Sequence, residues 1–277
     1  DKKKFEVFLV LYRESGQFAG ELKNIPDVTV IILEEKELLG RVARIPHLVG
    51  VIKKFRPTIV YSYLENVNVI VGICSIFCRI PRLVWGIRVS KFSTETRTFQ
   101  DKVVHRLACV FSQYVDLVIS NNSRGLRQFC ENGYRPRASK IIPNGINASW
   151  FNVAPDLSAP VRRELAIPEN TILIGQIARV VKEKGYETLL RAMSMLREDY
   201  QITNVVLICA GRGNQSLIEK YKRLQVRANL DNRVFWLGDR TDSRAVLAAC
   251  DIVTLASSEG DGFPNVVGEA LALEKPV

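Results

Sequence analysis

Strand-like apolar runs alternate with helical patterns along this sequence of 277 residues, and that alternation restricts the fold more than any other feature. In the first half, apolar runs predict strands at Phe5–Tyr12, Val28–Leu33, Thr58–Tyr61, Leu83–Gly86, Leu117–Ser120 and Lys140–Ile142. In the second half, they predict strands at Ile172–Ala178, Val205–Ala210, Val234–Leu237 and Ile252–Ala256. Helical patterns separate most of these strands, which predicts βα units, parallel sheets and an α/β protein.

A Pro-containing stretch from Pro155 to Pro168 separates the two series of strands. A chain of this length can form two domains of ordinary size. We therefore predict two Rossmann-like lobes, residues 1–150 and 151–277, that face a cleft. Ligands of doubly wound sheets bind beyond the carboxyl ends of the strands, so the cleft is the expected site.

All of the excess positive charge lies in the first lobe. Residues 1–150 contain 23 Lys and Arg against 13 Asp and Glu, a net charge of +10, whereas residues 151–277 contain 16 of each. No nucleic-acid motif or aromatic-basic interleaving is present, so no nucleic-acid partner is expected. An anionic membrane surface or a phosphate-bearing lipid acceptor fits this charge, and a basic solvated face is the alternative.

Cysteine and histidine usage indicates an intracellular protein without a metal site. The six cysteines lie in apolar patterns without CxxC spacing, and the chain has only two histidines and no evident acidic cluster. The longest apolar run, Val69–Cys78, is too short for a membrane span. We expect reduced thiols, no metal or other cofactor, and a cytoplasmic protein that associates peripherally with the inner face of the cell membrane.

The most informative motif is the segment Ser257–Val277 (SSEGDGFPNVVGEALALEKPV). It carries Asp261 in a glycine-rich loop and Glu269 eight positions later, two turns into a predicted helix. Free backbone N–H groups at a helix start bind anions, and two carboxylates can accept hydrogen bonds from hydroxyl groups. The segment therefore predicts a pocket for a sugar joined to a nucleoside diphosphate, the alternative being a turn before an ordinary surface helix.

A second motif, Gly175–Gly185 (GQIARVVKEKG), carries Arg179 at a strand end and Lys184 at a helix start. Cleavage of a sugar–phosphate bond leaves negative charge on the diphosphate, which cations of the protein can balance when no metal is present. Solvated surface cations are the alternative. We predict that Arg179 and Lys184 bind the diphosphate.

These two motifs, with Ile142–Phe151 (IPNGINASWF), resemble those of the retaining glycosyltransferases of family four, which have the GT-B fold. Asp261 stands where that family usually has glutamate. The resemblance implies that Asp261 binds the donor sugar with the amides of Gly262 and Phe263, and that Glu269 binds both ribose hydroxyls. It also implies that Pro264 begins the helix and that backbone N–H groups of the next three residues face the phosphates: Asn265, Val266 and Val267.

Two further residues have positions suggested by the same resemblance. Leu237–Thr241 resembles the loop that reads the base, which places Arg240 beside the nucleobase unless the segment is a plain turn. Arg88 stands where many relatives carry a cleft histidine, so we predict an acceptor-side role for it, the alternative being a surface arginine. Arg179, Lys184 and Asp261 are the predicted catalytic residues.

The implied activity is retaining hexosyl transfer from a UDP- or GDP-sugar to a hydroxyl of a lipid-linked or polysaccharide acceptor on the first lobe. The implied mechanism is a front-face displacement, and the implied setting is cell-envelope glycan synthesis, such as lipopolysaccharide or capsule. Similar enzymes begin with a further βα unit and end with closing helices, so we expect this fold to be incomplete at both ends. A nucleotide-sugar epimerase of the same architecture and a non-catalytic nucleotide-sugar or glycan-binding protein are the alternatives.

Overall fold

The computed structural model describes residues 5–11, 22, 25–33, 44–88, 98–147, 157–257 and 261–277. The predicted domain boundary between residues 150 and 151 lies outside these ranges, as do Phe151 and Gly260.

All ten strands of the described ranges pair in parallel. They are β1 (Val7–Leu11), β2 (Val28–Ile32), β3 (Ile59–Tyr63), β4 (Arg82–Ile87), β5 (Leu117–Ser120), β6 (Ser139–Ile141), β7 (Ile172–Ile177), β8 (Val205–Ala210), β9 (Val234–Gly238) and β10 (Ile252–Val253). They form three sheets of order β1-β2, β3-β4-β5-β6 and β10-β7-β8-β9. Parallel sheets of this kind confirm the predicted α/β class.

The α-helices of the described ranges lie between or after these strands. They are α1 (Arg44–Phe55), α2 (Glu65–Phe77), α3 (Phe99–Ser112), α4 (Ser123–Glu131), α5 (Ala159–Glu164), α6 (Tyr186–Glu198), α7 (Gln215–Arg227), α8 (Ser243–Ala249) and α9 (Asn265–Ala272). Local sequence explains where two of these helices begin. Thr98 and Asp101 form a capping box at α3, and the Asn214 side chain accepts a hydrogen bond from the Ser216 N–H at α7.

The described residues divide into two compact units. The first holds the described residues up to Ile87, residues 98–120 and Phe129–Ile141, and the second holds Arg88, Asn121–Gln128 and the described residues from Ile142 onward. In the second unit, β7 and β8 bury side chains on both faces, as strands covered by helices on both sides do.

Strand positions agree with the sequence predictions to within a few residues, with two differences. β10 ends at Val253, whereas the apolar run predicted a strand to Ala256. The Pro-containing stretch holds a short helix, α5, which the prediction lacked. Pro160 lies in the first turn of α5, where the missing N–H of proline costs no helix hydrogen bond.

Candidate nucleotide-sugar site in the second unit

The candidate site lies in loops that leave one edge of the sheet β10-β7-β8-β9. Because the four strands are parallel, their carboxyl ends share this edge. The loop after β7 carries Arg179 and Lys184, the loop after β9 carries Arg240, and the loop after β10 carries Asp261. Residues far apart in sequence are thus brought to one edge by the topology alone.

The backbone around Lys184 is fixed by its neighbours. Lys184 ends a 3-10 turn, and Gly185 follows with a φ of 66°, which favours glycine. A β-carbon at Gly185 would lie 1.9 Å from the carbonyl oxygen of Ala256, so no side chain fits there. The fully buried Gln176 donates to the Lys184 carbonyl at 2.9 Å and accepts from the Ala256 N–H at 3.2 Å. The loops after β7 and β10 are therefore held together beneath the lysine.

Lys184 and Asp261 form an ion pair. The Nζ atom of Lys184 donates to both carboxylate oxygens of Asp261, at 2.6 and 2.7 Å. Both side chains are mostly covered, with exposed fractions of 16% and 26%. A charge-assisted contact in such a place is stronger than one in open solvent. Two of the three predicted catalytic residues thus lie in direct contact.

Arg179 differs from Lys184 in its exposure and in its contacts. Its side chain is exposed, and it makes no ion pair or side-chain hydrogen bond with other residues that the structure describes. The neighbouring backbone is ordered by contacts with the turn after β8, since the Val180 N–H donates to the Arg212 carbonyl at 2.9 Å. A β-carbon at Gly211 would lie 2.1 Å from the Ala178 carbonyl oxygen. Arg179 is thus carried by a fixed backbone while its guanidinium points to solvent.

Helix α9 begins directly after Pro264, which has no side-chain cap to offer. Within the described residues, the N–H groups of Asn265 and Val266 make no hydrogen bond. The N–H of Val267 donates to the Pro264 carbonyl at 3.1 Å. The tight first turn therefore uses the N–H of Val267, and the phosphate contacts of the three N–H groups stay a prediction.

Asn144 connects the start of α9 to other residues of the second unit. Its amide nitrogen donates to the Phe263 carbonyl at 3.3 Å and to Asn265 Oδ1 at 2.7 Å. Its amide oxygen accepts from Arg88 Nη1, and from Asn121 Nδ2 at 3.4 Å. Arg88, predicted on the acceptor side, therefore contacts the residue that holds the start of α9.

The sequence predictions gave Asn144 no place in the site. The dipeptide Asn144-Gly145 is typical of an ordinary turn, which gives no sign of these contacts. Asn121 and Asn122 directly follow β5 and were likewise not predicted as site residues. A β-carbon at Gly262 would lie 2.7 Å from Asn121 Oδ1 and 2.5 Å from Asn122 Nδ2, so these asparagines line the loop that carries Asp261.

Glu269 lies on α9 and is half-buried. Its carboxylate makes no hydrogen bond or ion pair within the described ranges, and burial raises its pKa above the usual range. Gly268 allows close packing here, because a β-carbon at that position would lie 2.7 Å from Ile146 Cγ1. The helix thus packs against the segment after Asn144 and holds an acid that accepts no hydrogen bond from the residues that the structure describes.

Arg240 is bound by two protein carboxylates. It donates to both oxygens of Glu164, at 2.8 and 3.0 Å, and to both oxygens of Asp242, each at 2.8 Å. The hydrogen bonds with Asp242 and then Glu164 raise the pKa of the guanidinium, and the same bond lowers the pKa of Asp242. In this conformation one N–H of Nη1 and the flat face of the guanidinium are left for a nucleobase, and arginine supports contact through its face.

Neither metal ligands nor membrane spans are found in the part of the chain that the structure describes. There, no group of three or more His, Cys, Asp or Glu side chains could hold a metal ion. Over the same ranges, no helix has both the length and the apolar character needed to cross a bilayer. The expectation that no metal is required stays a prediction.

Comparison with solved structures identifies the fold of the chain. The chain is similar to HepE of Anabaena in complex with UDP, at 25% identity and a TM-score of 0.81, over 98% of this chain and 71% of that one. HepE is also known in complex with UDP-glucose, and that structure matches at 24% identity and a TM-score of 0.81. The fold is that of the GT-B glycosyltransferases, which have two Rossmann-like domains.

Sequence comparison finds a family model and several relatives. Residues 159–277 match the model of the glycosyl transferases group 1 family. An uncharacterized glycosyltransferase of Methanocaldococcus jannaschii is 22% identical over 239 residues, 83% of this chain and 57% of that protein. A D-inositol 3-phosphate glycosyltransferase of Corynebacterium jeikeium is 31% identical over 172 residues, 58% of this chain and 40% of that protein. The chain thus spans about half the length of these relatives.

Proposed function

We propose that the protein is a retaining glycosyltransferase that moves a hexose from a UDP- or GDP-sugar to a hydroxyl of a lipid-linked or polysaccharide acceptor. The observation that carries this proposal is the set of groups in the second unit: the covered Lys184–Asp261 pair, the two open N–H groups of α9 and the half-buried Glu269. Each has the chemistry of one part of a nucleotide-sugar: a diphosphate, sugar hydroxyls and ribose hydroxyls.

The proposed reaction uses the chain's own charges. The bond between the sugar carbon and the diphosphate oxygen breaks, and the acceptor hydroxyl oxygen bonds to that carbon on the same face. The acceptor proton passes to the departing diphosphate, whose charge is balanced by Lys184, Arg179 and the start of α9. This proposal requires the diphosphate to compete with Asp261 for Lys184, which frees the aspartate to accept hydrogen bonds from the donor sugar. No metal ion is assigned a role.

Two further parts of the proposal concern the setting. The acceptor belongs to cell-envelope glycan synthesis, and the protein works on the cytoplasmic face of the membrane. The excess of positive charge in residues 1–150 supports a contact with anionic lipid. UDP and UDP-glucose in complexes of the similar HepE favour a uridine donor among the alternatives.

Titration with UDP, GDP, UDP-glucose and GDP-mannose, followed by transfer of labelled sugar into a membrane extract, tests the proposal. We expect binding of one nucleoside diphosphate series and label in lipid or polysaccharide, with the anomeric configuration of the donor retained in the product. Epimerised free donor would instead identify an epimerase. Binding without turnover would identify a binding protein.

A further inference from the structure

Helix α3 has an apolar stripe on its outward face. Phe99, Val103, Leu107 and Val110 follow one another at intervals of four, four and three residues, which places them on one side of a helix. Their exposed fractions are 82% for Phe99, 40% for Val103, 39% for Leu107 and 54% for Val110. A surface helix of a globular protein normally turns such a stripe inward, so this distribution is inverted.

The opposite face of α3 anchors the helix in the first unit. Ala108 and Ser112 are fully buried. Phe111 packs on α2 at Gly72, where a β-carbon would lie 2.9 Å from the Phe111 ring. The helix therefore has its packed side already, and the outward stripe is additional apolar surface rather than the core side of a displaced helix.

Basic residues border the stripe. Lys102 and Arg106 are exposed and each directly precedes a stripe residue, so both lie along the same flank. The single acid of α3 is Asp101, whose carboxylate accepts from the Thr98 N–H at 3.1 Å and from Thr98 Oγ1 at 2.7 Å. The exposed side of the helix is thus apolar and cationic.

We propose that this outward face of α3 lies in the headgroup region of an anionic bilayer. Apolar residues beside Lys and Arg are the pattern of helices that lie in the membrane interface. A second copy of the chain is a poorer occupant, because it would bring another basic flank to this one. The inference sharpens the membrane contact proposed above and rests on that part of the proposed function, whereas sugar transfer is not needed for it.

Co-sedimentation of the full chain with vesicles tests this surface. We expect binding to equimolar phosphatidylglycerol–phosphatidylcholine vesicles and at least 10-fold weaker binding to phosphatidylcholine alone. The variant Val103→Asp/Val110→Asp should lose binding by 10-fold or more. The matched control is Val226→Asp on α7, since Val226 is 57% exposed in the second unit, and it should bind as the parent does. Lys102→Gln/Arg106→Gln should weaken binding several-fold and reduce its salt dependence.

A second measurement uses Phe99→Trp. Its emission, taken as the difference from the parent, should shift to the blue with anionic vesicles and stay unchanged with phosphatidylcholine vesicles. Unaltered vesicle binding by Val103→Asp/Val110→Asp would overturn the inference, and so would a dimer of the parent that this variant converts to a monomer. UDP titration of each variant separates the proposals: lost vesicle binding with parental UDP affinity supports the surface, while UDP failing to bind the parent contradicts only the donor site.

Discussion

The loop that carries Asp261 and the helix that carries Glu269 hold the two carboxylates of one motif in opposite states. Asp261 is fully engaged, with both oxygens on the Nζ atom of Lys184. Glu269 is half-buried, its pKa is raised by burial, and its carboxylate has no partner within the described residues. The difference indicates that one end of the site must exchange an existing contact to bind a ligand, whereas the other only gains contacts.

The Lys184–Asp261 ion pair gives the largest expected effect, which is on the rate of sugar transfer. Lys184→Ala should lower sugar transfer by about 100-fold or more, because the departing diphosphate loses its interaction with a positive charge. That interaction is stronger in a covered site than in water. Initial rates at saturating donor measure this loss. The control is Lys182→Ala in the same 3-10 turn, where the lysine is exposed. Equal rates in the two variants would remove the special role of the paired lysine.

The backbone beneath that lysine gives the next effect, on stability. Gly185→Ala should lower the free energy of unfolding by about 3 kcal/mol or more, since it adds a clash with the Ala256 carbonyl to the cost of a positive φ. Gly238→Ala is the matched control: its φ is 67° against 66°, and nothing lies within 4 Å of its added β-carbon. Urea unfolding of both variants isolates the clash. Similar losses would mean that the two loops are not held together at this point.

The region of Glu269 should show opposite effects on binding and stability. Glu269→Gln is expected to weaken UDP binding by about 10-fold, or ~1.4 kcal/mol, because a charged acceptor of the ribose hydroxyls is lost. The same change should leave the protein as stable as the parent at pH 7, or more stable, because ionising this buried acid opposes folding.

The sign of the pH dependence of stability follows from the raised pKa of Glu269. The folded state holds the Glu269 proton more tightly than the unfolded state, so the parent loses stability as pH rises above about 4.3, the usual glutamate pKa, toward the folded value. Glu269→Gln should lack this loss. The control Glu274→Gln, at an exposed residue two positions after the end of α9, should keep it. Calorimetry with UDP and urea unfolding at pH 4 and pH 7 measure both effects. A Glu269→Gln variant with parental UDP affinity would contradict the ribose contact.

The smallest effect should come from releasing the lysine. Asp261→Asn removes the competing carboxylate charge, so UDP should bind a few-fold more tightly while transfer of the sugar decreases. The same change in a Lys184→Ala background should have no effect on UDP affinity, which a double-mutant cycle measures. Weaker UDP binding by Asp261→Asn would show that the pair orients the lysine rather than competing for it.

The sequence predicted features that depend on local pattern and failed where distant contacts decide. Alternating apolar runs located the strands, and the glycine-rich segments located Lys184, Asp261 and Glu269. The ion pair joins residues 77 positions apart, and its formation depends on how two loops meet at a sheet edge, which periodicity does not encode. Asn144 has the local pattern of a turn residue, because its contacts with Phe263 and Asn265 are 119 and 121 positions away. The predicted place of Arg240 beside a nucleobase rests on the local pattern Leu237–Thr241, whereas its contact with Glu164 spans 76 positions and was not predicted.

The four hydrogen bonds of Asn144 set a strict chemical requirement at one position. Its amide oxygen accepts twice and its amide nitrogen donates twice, so both ends of the group are saturated. Aspartate at this position would place an oxygen opposite the Phe263 carbonyl and the Asn265 side-chain oxygen, turning two attractions into two repulsions. Deamidation, the slow hydrolysis to which an Asn-Gly dipeptide is prone, would therefore convert a chemical lesion at Asn144 into a misplaced donor helix.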